Sequence, residues 1–88
     1  MANSAQARKR ARQAEDRRTH NQVLRSRMRT AMKKVLNSVA RGDLETARAA
    51  FKATVPQIDG MVTKGLLNKN TAARYKRRLN ARVKALSA

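Results

Sequence analysis

The chain has 88 residues with 22 Lys or Arg, 5 Asp or Glu, one His, one Tyr, one Phe and no Cys, for a net charge of +17. A chain this short forms one domain that buries only about 60–65% of the surface its unfolded form exposes, so its core is thin and an enzyme-sized pocket is not expected. The absence of Cys excludes a disulfide framework and a thiolate metal site, and it is compatible with a reducing compartment.

The charge is unevenly placed. Residues 1–34 hold 11 Lys or Arg and 2 acids, residues 35–60 hold 3 of each, and residues 61–88 hold 8 and none, so segment charges of +9, 0 and +8 account for the whole excess. Two cationic arms in one small chain repel each other unless a polyanion lies against them. Nucleic acid is the obvious polyanion. No apolar run approaches the roughly 20 residues of a membrane span, and no apolar segment follows Met1-Ala2-Asn3-Ser4, so neither a membrane partner nor a secretory signal is expected. The Arg-rich, acid-poor start imitates a mitochondrial transit peptide, but a segment that is discarded would leave its charge without a use.

In chain order, the first predicted helix begins with a stretch that has no core to join. Between Ala5 and Gln22 there is no large apolar side chain, only Ala, Gln, charged and other polar residues. Helix propensity is nevertheless high, and at 100° per residue Arg8, Lys9, Arg10, Arg12, Arg17 and Arg18 point all around the axis. Cations near a helix N-terminus oppose the macrodipole. A frayed, solvated basic tail explains these features in isolation; a rod inserted among phosphates explains them together. An apolar stripe appears only further on, with Leu24, Met28, Ala31, Val35 and Val39, supplemented by Met32 and Leu36.

Arg41-Gly42-Asp43 then reads as a basic last turn, a left-handed glycine and an Asp N-cap for the next helix. The second helix carries Leu44, Ala47, Phe51, Val55, Ile58 and Val62 at spacings of three and four. Phe51, the largest of these, is expected at the buried centre. Pro56 inside this helix removes a backbone donor and crowds the carbonyl of Lys52, so a kink is expected there. Lys64-Gly65 repeats the stop signal and Asn68 caps the third helix, whose stripe is Ala72, Leu79, Val83 and Leu86 with Tyr75 at its edge. Opposite that stripe lie Arg74, Arg77, Arg78 and Lys84, with Lys76 and Arg82 flanking it. A solvated face normally mixes both signs, whereas no acid occurs after residue 59. Arg also presents a planar fork that binds phosphate oxygens bidentately.

No segment alternates with period two. The expected fold is therefore all-α, an antiparallel three-helix bundle over 23–88 with a long basic extension of the first helix over 5–22, together a single domain. Chemistry beyond charge is scarce. His20 has no Cys or carboxylate cluster beside it, Glu15 and Asp16 lie about 100° apart on a helix, and Ser26, Thr30 and Ser38 have no adjacent base. Glu15 and Asp16 are expected to pair with Arg12, Arg18 or Thr19. No catalytic residue, metal, cofactor or small-molecule substrate is therefore expected. With one Tyr and one Phe the chain lacks the repeated stacking platforms of single-strand binders, which favours phosphate and shape recognition of folded RNA or duplex.

Two motifs carry a resemblance that runs nearly end to end. Arg25-Ser26-Arg27-Met28-Arg29-Thr30-Ala31-Met32-Lys33-Lys34 and Lys64-Gly65-Leu66-Leu67-Asn68-Lys69-Asn70-Thr71-Ala72-Ala73-Arg74-Tyr75-Lys76-Arg77-Arg78-Leu79, with Gly42-Asp43 and Pro56 between them, resemble the bacterial small-subunit ribosomal protein family numbered twenty. The resemblance implies a three-helix bundle whose long first helix penetrates small-subunit ribosomal RNA early in assembly, in the bacterial cytoplasm, with other small-subunit ribosomal proteins as possible neighbours. RNA contacts are then expected from Arg8, Lys9, Arg10, Arg12, Arg17, Arg18, Arg25, Arg27, Arg29, Lys33 and Lys34 on the first arm, and from Lys69, Arg74, Lys76, Arg77 and Arg78 on the second. Two positions depart from the family: Asn68 stands where His is usual, and Ser4-Ala5-Gln6 replaces a start that usually contains Lys. A nucleoid-type DNA-binding protein is the alternative that the charge pattern admits. A membrane-disrupting cationic peptide would need large hydrophobes that residues 5–22 lack.

Overall fold

A computed structural model describes residues 2–87 of the chain. Three helices follow in order, α1 (Ala2–Ala40), α2 (Leu44–Thr63) and α3 (Lys69–Ser87), each packed on the other two. No strand occurs among the described residues. At 1.5 Å per residue the 39 residues of α1 span about 58 Å, nearly the full 67 Å of the molecule's long axis, against 23 and 14 Å for the others. The radius of gyration, 17.9 Å, exceeds the roughly 12 Å of a compact chain of this length. The N-terminal half of α1 is responsible, because only the C-terminal half has neighbours.

Both turns follow from local chemistry. Gly42 and Gly65 have φ of 72° and 74°, the left-handed region that glycine enters without steric cost. At the first turn the Gly42 N–H donates to the Val39 carbonyl and the Asp43 N–H to that of Ser38, each at 3.0 Å; at the second, Gly65 donates to Val62 and Leu66 to Met61. This is the paired closure of a Schellman turn. It satisfies carbonyls that the helix ends would otherwise leave unpaired. Asp43 then starts α2: its Oδ1 accepts from the Thr46 N–H at 3.1 Å and its Oδ2 from the Thr46 hydroxyl at 2.7 Å. Asn68 starts α3 in the same way, its Oδ1 accepting from the Asn70 N–H at 2.8 Å.

The Thr46 hydroxyl, then the Thr46 N–H and the charge of Arg41, hold the Asp43 carboxyl below its ordinary pKa of 3.8. A carboxylate with a depressed native pKa stabilises the fold above its unfolded pKa, and that contribution disappears as pH falls through the native value. Asp43→Asn keeps a capping side chain without the titration. The parent is therefore expected to be more stable than Asp43→Asn at neutral pH, with the difference closing in the window just below pH 3.8. Thermal melts of both proteins across that range check this; a constant difference would contradict it.

The buried core is Met28 and Val35 of α1, Ala47, Ile58 and Met61 of α2, and Ala72, Leu79 and Val83 of α3. Phe51 is not its centre. It is half-buried at the margin, while Ile58 and Val35 are fully enclosed. The face of α2 that meets its neighbours is turned toward Thr54 and Met61, so the large ring lies off the axis of contact. Two hydroxyl residues complete the interior, Ser38 and Thr54, each 1% exposed. Their hydroxyls donate to carbonyls one turn back, Ser38 to Lys34 at 2.8 Å and Thr54 to Ala50 at 2.7 Å, and Thr54 also reaches the Ala31 carbonyl of α1 at 3.3 Å. Satisfied in this way, a small hydroxyl residue costs little to bury. Pro56 stands on the exposed face of α2, and the helix runs on without a break to Thr63.

Candidate nucleic-acid interface

Every residue from Ser4 to His20 is exposed. Arg8, Lys9, Arg10, Arg12, Arg17 and Arg18 therefore project from a free rod on all sides, and its first turn contains no acid. Glu15 engages Arg18 at 3.7 Å, and the Thr19 hydroxyl donates to the Glu15 carbonyl. Both side chains of that ion pair are largely solvated, so it adds little to stability. The remaining cations of the rod have no carboxylate at ion-pair distance among the described residues.

Within the bundle, α1 divides its cations between two clefts. On the α2 side Arg27 and Lys34 border a cavity of about 390 Å³ whose lining is mostly small: Ser26, Thr30, Ala31, Ala50 and Ala53. On the α3 side Arg25 and Arg29 border a cavity of about 380 Å³ with Tyr75 opposite. Lys33 is exposed on the outer surface of the helix.

On α3, Lys69, Arg74, Arg77 and Arg78 are exposed. Lys76 is held differently: its Nζ lies 2.7 Å from Asp59 Oδ1, tying α3 to α2. Arg82 was absent from the expected contact set, yet it lines the α1–α3 cleft beside Arg78. The signal was available, since residues four apart on a helix share a face. Asn68 serves as a helix cap. No group of three or more His, Cys, Asp or Glu side chains among the described residues is arranged to hold a metal ion, and no helix among them is long and apolar enough to cross a membrane.

The sequence profile of ribosomal protein S20 matches residues 2–84. The chain belongs to the ribosomal protein S20 family. It is 67% identical over 86 residues to small ribosomal subunit protein bS20 of Thioalkalivibrio sulfidiphilus, covering 98% of this chain and 100% of the relative. The bS20 protein of Methylococcus capsulatus is 61% identical over 87 residues, 99% of this chain and 95% of its own length. That of Saccharophagus degradans is 54% identical over 88 residues, the full length of both. Likeness on this scale takes in the rod, both turns and the cationic face of α3. An S20 chain of this kind is a structural component, not an enzyme.

Proposed function

We propose that this chain is a structural constituent of the small ribosomal subunit that binds small-subunit ribosomal RNA directly and stabilises the RNA fold during assembly, working in the bacterial cytoplasm. The observation that carries this is the free rod: a helix with no apolar face, exposed from Ser4 to His20 and cationic on all sides. Such a segment gains nothing from the protein's own core. It gains from phosphates surrounding it, with counterions released into solvent. Residues 5–22 would enter the RNA where several of its helices converge, supported by Arg25, Arg27, Arg29, Lys33 and Lys34. Lys69, Arg74, Lys76, Arg77 and Arg78 would meet a second region, Lys76 while keeping its link to Asp59. The bundle over 23–88 fixes the angle between these two surfaces, and neighbouring small-subunit proteins would adjoin it.

Binding to folded small-subunit RNA and to duplex DNA at matched salt separates this function from nucleoid-type DNA binding. The RNA is expected to be preferred. Equal affinity, or preference for DNA, would sink the proposal. Amide exchange on the same samples tests the rod: most helical stability in a protein comes from packing an apolar face, and residues 5–22 have none. Residues 5–22 are expected to exchange freely without RNA and to become protected with it. Protection equal to that of α2 in the free protein would show that the rod is self-sufficient.

A further inference from the structure

Tyr75 belongs to two adjoining cavities at once. One, of about 380 Å³, places it with Arg25, Met28, Arg29 and Met32; the other, of about 150 Å³, places it with Met32, Leu36, Arg78 and Arg82. Together they form one cleft along the α1–α3 seam, with an apolar floor and four arginines on its rim. Leu36, at its outer end, is one of the two large hydrophobic side chains exposed in the bundle. The Tyr75 ring is half-buried, and its hydroxyl joins none of the side-chain hydrogen bonds among the described residues. The ion pairs of the fold are Arg18 with Glu15 and Lys76 with Asp59, so none of the four rim arginines is neutralised from within the described chain.

Resting on RNA binding as proposed above, we infer that this cleft receives a single nucleotide turned out of the bound RNA. Its base lies against Tyr75, Met32 and Leu36, and the phosphates on either side meet Arg25 and Arg29 on one wall and Arg78 and Arg82 on the other. Charge complementarity selects this occupant. The rim is cationic on both walls while the floor is apolar, which matches a base flanked by two phosphates. A polypeptide would bring backbone donors and acceptors that need partners, and apart from Leu66 and Leu67 of the α2–α3 turn the lining is helical and has already spent its own backbone groups. A base needs only faces, and an aromatic ring, thioether and guanidinium planes supply them. Stacking of this kind is tolerant of base identity, so the cleft fixes position without reading sequence.

The test uses the full chain with folded small-subunit RNA. Tyr75→Leu keeps an apolar side chain but removes the ring; it is expected to weaken binding on the order of 10- to 100-fold with the salt dependence unchanged, since no cation is lost. Tyr75→Phe is expected to retain the parent's affinity. Leu36→Glu alters a position outside the buried core, and it is expected to weaken binding by placing a carboxylate at the mouth while the far-ultraviolet circular dichroism of the free protein stays that of the parent. Ultraviolet irradiation of the parent complex should give a nucleotide adduct on the peptide containing Tyr75. Parent-like binding by both Tyr75→Leu and Leu36→Glu would overturn the inference while leaving RNA binding intact. So would capture of a polypeptide, in place of a nucleotide, by a photoreactive side chain at position 36 in the assembled subunit. A parent chain that does not bind the RNA would overturn the proposed function itself.

Discussion

Replacing Arg8, Lys9, Arg10 and Arg12 together by Gln is expected to weaken binding to small-subunit RNA on the order of a hundredfold at physiological salt. Each phosphate contact contributes roughly 0.7–0.9 to the slope of log K against log salt, so the slope should flatten by about three units. Gln keeps helix propensity close to that of the residues it replaces, and all four positions are exposed and touch no other part of the fold. The free protein should therefore melt as the parent does. The control is Arg41, Arg48 and Lys52 to Gln, which removes three exposed cations, one fewer, from the electrically neutral middle of the chain. It should do much less. Equal losses from the two variants would mean that affinity follows total charge, and that the rod has no special place in it.

The map of charge was legible because charge requires no folding to count, and α-helical geometry converts positions into faces at 100° per residue. Both turns were legible for a similar reason. A left-handed glycine, an Asx cap and the backbone bonds they permit involve neighbours within a few residues, so Gly42-Asp43 and Gly65 through Asn68 announce themselves. The length of α1 was also readable, since nothing between Ala5 and Gln22 breaks a helix even though nothing there packs. The centre of the core was not. The spacing of Leu44, Ala47, Phe51, Val55, Ile58 and Val62 identifies an apolar face of α2, and Ala47 and Ile58 are indeed enclosed, but it does not give the direction from which two other helices approach. Contact is centred on Ala47 and Ile58 of that stripe together with Thr54 and Met61, about 50° around the axis from the middle of the stripe. Thr54 counts as polar until its hydroxyl is seen bonded to the Ala50 carbonyl. The α1–α3 cleft was hidden in the same way, because Arg25, Leu36, Tyr75 and Arg82 come together only after the helices dock.

That rotation decides the second large effect. Ile58→Ala is expected to destabilise the fold by about 2–5 kcal/mol, because Ile58 is fully enclosed and the three helices meeting around it cannot all close on the space it leaves. For a domain of this size each kcal/mol corresponds to roughly 4–8 °C, so the melting temperature should fall by at least ten degrees or so. A bundle this small holds only a few kcal/mol of net stability, and the variant should be substantially unfolded at the warm end of the physiological range. Phe51→Ala removes a larger side chain yet should cost about half of what a buried ring costs, because part of the ring is already in water. The comparison is made by thermal melts of the free proteins, read by far-ultraviolet circular dichroism. A greater loss from Phe51→Ala than from Ile58→Ala would mean that α2 turns its Phe51 face inward in solution, and that Thr54 and Met61 are not the residues at the contact.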